Sequence, residues 1–128
     1  MADELRVVGI GTDLVEVPRF ALALQRRPTL ADRLFSDAEK EYAYRFRDPT
    51  KSLAARFGAK EAVMKALGCG LGAYGFHDVE VARDDDSGEP SLVVSGKAAV
   101  LAEERGVTNW ALSLSHSDVV AIAFVVGE

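Results

Sequence analysis

Between Arg6 and Val15 the chain reads RVVGIGTDLV, an apolar strand that carries two glycines and an acid. Strand alternation puts Val8, Ile10 and Leu14 on one face, with Thr12 between the last two. Val7, Gly9, Gly11 and Asp13 fall on the other. A face with two glycines has no side chains to fill the space beside it, and glycines in a strand often mark the close approach of a ligand or another backbone. A carboxylate in such a strand is costly if left without a partner. Two readings of Asp13 stay open on this evidence: it belongs to a site, or it ends the strand and caps a turn.

The elements that follow are punctuated by local signals. Pro18 suits the first turn of a helix running to about Arg27, where Pro28 interrupts it. A short helical turn fits Leu30 to Leu34. Ser36 and Glu39 form a capping box that opens another helix. Asp48-Pro49-Thr50 ends that one and caps the next, expected from about Lys51 to Leu67 and stopped by Gly68. Val79 and Val81 alternate with polar residues as a half-buried strand, the turn DDDSGEP follows, and Ser91 to Val94 pairs back as a hairpin. Ser95 is placed to cap a helix from Gly96 to Arg105. Trp110, Leu112 and Leu114 alternate, His116 falls in a turn, and Val119 to Val126 is a fully apolar strand. Helices gathered early and strand pairs late indicate an α+β fold, with helices packed on a largely antiparallel sheet. The 128 residues of the chain are one domain's worth, residues 1–128.

Composition narrows the chemistry. The single cysteine, Cys69, excludes an intrachain disulfide and a multi-cysteine zinc site and suggests a reducing, cytoplasmic setting. The polar opening MADELR and the broken apolar stretch after it do not read as a signal peptide, and no run is apolar enough to span a membrane. The net charge is −5 but segregated: eleven basic and six acidic residues lie between Arg19 and Lys65, leaving −10 on the rest. A basic region on an acidic protein points to an anionic ligand or acidic partner, while a pI near 5.1 speaks against a dedicated nucleic-acid binder.

In the long helix, Leu53, Ala54, Phe57 and Met64 form an apolar stripe into which Glu61 falls. Lys65, four residues on, is an ordinary partner for it. Yet two acids in apolar settings, Asp13 and Glu61, are explained together by one shared cation. Without a cysteine cluster, that donor set suits a hard ion such as Mg²⁺, which takes one or two carboxylates, waters and phosphate oxygens. Arg56, Lys60 and Lys65, on an adjoining surface of the same helix, would neutralise a diphosphate; alternatively they are a solvated basic face. The segment Ser113-Leu114-Ser115-His116 lacks the G-x-S-x-G elbow of a hydrolase, so His116 reads as a ligand-contacting residue. The glycines after Leu67 follow a helix and lack G-K-[ST], so they are no P-loop. Cys69 reads as a bystander, and His77 as a surface or strand-edge residue.

Three segments resemble one family in residue and order. Gly9-Ile10-Gly11-Thr12-Asp13-Leu14-Val15-Glu16 is similar to the opening signature of holo-acyl-carrier-protein synthases, the short, single-domain phosphopantetheinyl transferases. The stretch from Arg56 to Ala66 is similar to their R-[FW]-[AS]-[AG]-K-E-A-x-x-K-A helix, with Gly58 where Ala or Ser is usual. Ser113 to His116, followed by Ala121-Ile122-Ala123, is similar to their C-terminal hairpin. The resemblance implies transfer of 4′-phosphopantetheine from coenzyme A to a serine of an acidic apo-acyl carrier protein, in fatty-acid biosynthesis. It further implies Asp13 and Glu61 on Mg²⁺, Lys65 at the leaving group, and Arg56, Lys60 and His116 near the coenzyme. Arg19, Arg26 and Arg27 would dock the carrier. The oligomer implied is a homotrimer with active sites at subunit interfaces. Two other classes remain beside this one: a different metal-dependent phosphoryl transferase or pyrophosphatase, and a catalytically silent carrier-binding module.

Overall fold

A computed structural model of the protein describes residues 6–128. The first strand, β1 (Gly9–Glu16), runs straight into helix α1 (Val17–Arg26), with Pro18 in its first turn. Helix α2 (Leu30–Leu34) is a short connection. Helix α3 (Asp37–Ala43) starts at a complete capping box: the Ser36 hydroxyl accepts from the Glu39 amide, and the Glu39 carboxylate accepts from the Ser36 amide. Helix α4 (Thr50–Leu67) is the longest element and ends at Gly68, whose left-handed backbone (φ 67°, ψ 29°) suits only a residue without Cβ. A single 3₁₀ turn (Phe76–Asp78) precedes β2 (Val79–Arg83), which pairs with β3 (Pro90–Val94). Helix α5 (Gly96–Glu104) leads to β4 (Trp110–His116) and β5 (Val120–Gly127).

Every strand pairing is antiparallel. One sheet has the order β1-β5-β4, and β2-β3 forms a second, two-stranded sheet. The α+β expectation is met, with the refinement that the strands divide into two sheets. Register brings Asp13 opposite Ala123 and Gly11 opposite Val125.

Helix α4 is enclosed nearly all round. Its residues join two apolar clusters, one with Val79, Val81, Ala98 and Val125, the other with Phe20, Leu34, Phe35 and Ala121. This corrects the one-sided stripe expected for the helix: Leu53, Ala54 and Met64 are buried, but so are Arg56 and Lys60, while Phe57 and Glu61 are only half-buried. A helix packed on more than one side loses the periodicity that marks a surface helix. The close approach foreseen at Gly9 and Gly11 is made by backbone. A Cβ built at Gly11 would sit 1.8 Å from the Ala62 carbonyl oxygen, and one at Gly9 2.0 Å from that of Ala66. The two glycines let α4 lie directly on β1.

Two local expectations change. Ser95 sits at the N-cap of α5 without capping it; the Asp78 carboxylate reaches in instead and accepts from the Ala98 amide at 3.3 Å. His116 ends β4 and is not in the turn, which is held by the Ser117 hydroxyl accepting from the amides of Val119 and Val120.

Candidate active site

Because Gly11 and Asp13 share a face of β1, the packing that seats α4 on Gly11 also aims Asp13 at that helix. Glu61 follows one residue after Lys60 on the helix and turns to the same side as Asp13. Both acids line one cavity of about 970 Å³, with Arg19 and Phe20 from α1, Phe57 from α4, and a wall of Gly72, Tyr74, Gly75 and Phe76. The floor is aromatic: Phe20 stacks on Phe57 with centroids 5.2 Å apart, and Phe57 lies 6.1 Å from Phe76.

The carboxyl group of Glu61 is pushed above the usual carboxylate range, chiefly by burial and next by the neighbouring Asp13 charge, with Lys65 opposing. The Asp13 charge disfavours the ionised form of Glu61, and positive charge nearby relieves it. Part of that positive charge comes from Lys65, whose ammonium donates to Asp13 Oδ1 at 3.0 Å and to the Thr12 carbonyl at 2.9 Å. Lys65 is thus partnered with Asp13, across 52 residues, and not simply with Glu61 at i,i+4 as the sequence allowed.

No group of three or more His, Cys, Asp or Glu able to cage a metal exists among the described residues. The Asp13–Glu61 pair nonetheless fits an ion that needs only one or two carboxylates and takes its other oxygens from water and phosphate. The ammonium of Lys65 on Asp13 shows that this carboxylate takes a cationic partner.

Arg56 and His116 come together, but in a second cavity of about 570 Å³ that also includes Arg47, Lys51, Arg83 and Tyr42. Arg56 lies about 140° around the helix from Glu61, and the two line separate cavities. The Arg56 guanidinium donates to the Ser52 hydroxyl at 2.8 Å and lies 4.4 Å from the centre of the Tyr42 ring, with Arg83 4.7 Å from the same ring. Arg83 also donates to the Tyr42 hydroxyl. Burial lowers the Arg56 pKa from its ordinary value. Arg47, Lys51, Arg83 and Tyr42 carried no motif in the sequence and are identified only by where the fold gathers them.

Lys60 is not on the cationic surface the sequence assigned to it. It is wholly buried, paired with the equally buried Glu39 at 2.9 Å, and donates to the carbonyls of Phe76 and Val79. Arg19 borders the first cavity, and Arg26 and Arg27 are exposed at the end of α1, so the three form an accessible basic flank. His77 places Nε2 2.8 Å from the Asp32 carbonyl oxygen, tying the 3₁₀ turn to α2. Cys69 is half-buried and free.

The family described as the 4′-phosphopantetheinyl transferase superfamily matches residues 9–125. The holo-[acyl-carrier-protein] synthase of Salinispora arenicola (strain CNS-205) is 51% identical over 122 residues, covering 95% of this chain and 98% of that protein. Among solved structures, the holo-[acyl-carrier-protein] synthase of Neisseria meningitidis superposes with a TM-score of 0.85 at 32% identity, over 96% of this chain and 99% of that one. The Bacillus anthracis str. Ames holo-(acyl-carrier-protein) synthase in complex with CoA (3′,5′-ADP) gives 0.78 at 35% identity, over 94% and 96%.

Proposed function

This chain belongs to the 4′-phosphopantetheinyl transferase superfamily, and from that premise we propose how its residues divide the work of a holo-acyl-carrier-protein synthase. The enzyme transfers 4′-phosphopantetheine from coenzyme A to a serine of an apo-acyl carrier protein, leaving adenosine 3′,5′-bisphosphate. The observation that carries the residue assignment is the cavity that Asp13 and Glu61 line together, with the Asp13 charge helping to raise Glu61.

Asp13 and Glu61 would hold Mg²⁺. That ion, when bound, supplies charge neutralisation on the diphosphate oxygens. The proton of the carrier serine goes to the Glu61 carboxylate or to a water held beside it. The serine oxygen attacks the phosphorus nearest pantetheine, the bond to the bridging oxygen breaks, and the electron pair leaves on the bisphosphate. Lys65, 56% exposed and paired with Asp13 at the cavity, would meet that developing charge. The aromatic floor from Phe20 to Phe76 gives the cavity an apolar side.

Arg56 and His116, with Arg47, Lys51 and Arg83 around them, offer a cationic cavity for the nucleotide end of the coenzyme. Because this cavity is separate from that of Asp13 and Glu61, the reading favours a homotrimer in which one subunit's acids meet a neighbour's cations. A second feature supports association. The face of the β1-β5-β4 sheet away from α4 presents Ile10, Leu14, Ile122 and Phe124 at 57, 60, 40 and 46% exposure, with nothing covering them among the described residues. Phe124→Asp puts a charge in the middle of that face. It is expected to give a monomer by analytical ultracentrifugation and to lose transfer; a variant that sediments like the wild type would remove this face as the interface.

The basic flank Arg19, Arg26 and Arg27 would receive the acidic carrier. The lone cysteine suits a cytoplasmic setting, and no helix is long and apolar enough to cross a membrane. The reaction is tested by incubating the protein with coenzyme A, Mg²⁺ and an apo-carrier and weighing the carrier. A gain of one phosphopantetheine is expected, and an unchanged carrier mass would reject the assignment.

A further inference from the structure

We propose that the buried Lys60–Glu39 pair is a positioning device that fixes the wall, within residues 71–77, of the cavity lined by Asp13 and Glu61. This rests on the transferase reading above. Lys60 and Glu61 are neighbours about 100° apart on α4, so one points inward where the other faces the cavity. The Lys60 ammonium is surrounded by three acceptors: Glu39 Oε1 at 2.9 Å, the Phe76 carbonyl at 3.1 Å and the Val79 carbonyl. Glu39 in turn accepts from the Ser36 amide and, through Oε2, from the Val81 amide at 2.9 Å. One pair thereby joins α3, α4, the 3₁₀ turn and β2.

A well-packed apolar residue would stabilise a core as well as a buried ion pair does, so stability is a weak reason for this one. Direction is what methyl groups would not supply. The carbonyls that Lys60 holds belong to the chain just after Gly72, Tyr74 and Gly75, which line the cavity beside Glu61. The wall's other holds are the buried Tyr74 ring, Phe76 against Phe57 and His77 at the Asp32 carbonyl, while its glycines make none. A Cβ at Gly68, Gly70, Gly72 or Gly75 would meet nothing within 4 Å, Leu71 is 71% exposed, and the buried Tyr74 hydroxyl has no partner. Within the segment the backbone bonds run from Ala73 to Gly70 at 3.4 Å and from Asp78 to Gly75 at 3.0 Å. Around its glycines the wall is thinly packed, so the Lys60 anchor shares with Tyr74, Phe76 and His77 the work of setting it.

The test is the double variant Lys60→Met/Glu39→Gln, which removes both charges so that neither is left buried alone. Amide exchange by NMR is read at Ala73 and Asp78 and, as internal reference, at Ala62 and Val63 of α4. The proposal expects the first two to exchange about tenfold faster while the reference amides hold. The KM for coenzyme A should rise about tenfold with kcat changed by less than about threefold. Exchange that rises equally in wall and helix, with KM unmoved, would overturn it, since that is what loss of core stability alone gives. If that double variant does not fold, Lys60→Gln/Glu39→Gln, which keeps polar side chains and leaves no lone charge, must show the same pattern in smaller degree, and its absence overturns the proposal equally. Should the wild type transfer nothing, the reaction assignment fails, yet the exchange measurement still decides the anchor.

Discussion

Glu61→Gln is expected to lower carrier modification by on the order of 10³-fold, through loss of an ion-holding carboxylate and a proton acceptor together. Stability should move the other way, which separates this variant from a misfolded one. The folded-state pKa of Glu61 is raised by burial and by Asp13. A raised carboxylate contributes stability that is present below its unfolded pKa and lost as pH rises through the folded one. At neutral pH the ionised side chain is thus a liability of the fold, and the neutral amide should melt at or slightly above the wild type. Below the ordinary carboxylate range the two proteins should converge. Mg²⁺ with coenzyme A should raise the wild-type melting temperature far more than that of the variant. Wild-type turnover in Glu61→Gln would remove the metal assignment; a lowered melting temperature at pH 7 would remove the electrostatic one.

The second large effect is on the fold. Gly11→Ala adds a single methyl where the Ala62 carbonyl oxygen stands 1.8 Å away, a contact that no side-chain rotation relieves because the obstacle is helix backbone. Helix α4 must then lift from β1, and with it the geometry between Asp13 and Glu61. The expected loss is about 3 kcal/mol or more, a drop in melting temperature of roughly 10 °C. Gly58→Ala is the opposite case. Its new Cβ meets Val15 Cγ2 at 3.4 Å and Ala123 Cβ at 3.5 Å, ordinary contacts, and alanine favours the helix interior by about 1 kcal/mol. Thermal melts of the two variants should therefore shift in opposite directions. Equal shifts would show that the glycine face of β1 is not what seats the helix.

Much of the architecture was legible because it is written locally. The Ser36–Glu39 capping box, the stop at Gly68, the turn between β2 and β3 and the alternation of β4 each depend on residues a few positions apart, and each appears in the structure. The two acids were legible for a different reason: a carboxylate within an apolar pattern is conspicuous before any partner is known. The same reasoning failed at Lys60. A lysine beside Glu61 looks like one more cation of a phosphate site, and nothing nearby in sequence announces that it points inward to Glu39. The cap of α5 failed alike, since Asp78 reaches it from 20 residues away.

The sequence by itself determined which segments become helix or strand, that Gly9 and Gly11 admit a close neighbour, and that Asp13 and Glu61 are the chemically conspicuous acids. Only the tertiary structure decided which neighbour comes close, which of the α4 cations are buried, and that Arg56 and His116 belong to a different cavity from the acids. Local signals act through bonds that span one turn, whereas the direction a side chain faces on an enclosed helix is set by sheets and helices packed on it from distant parts of the chain.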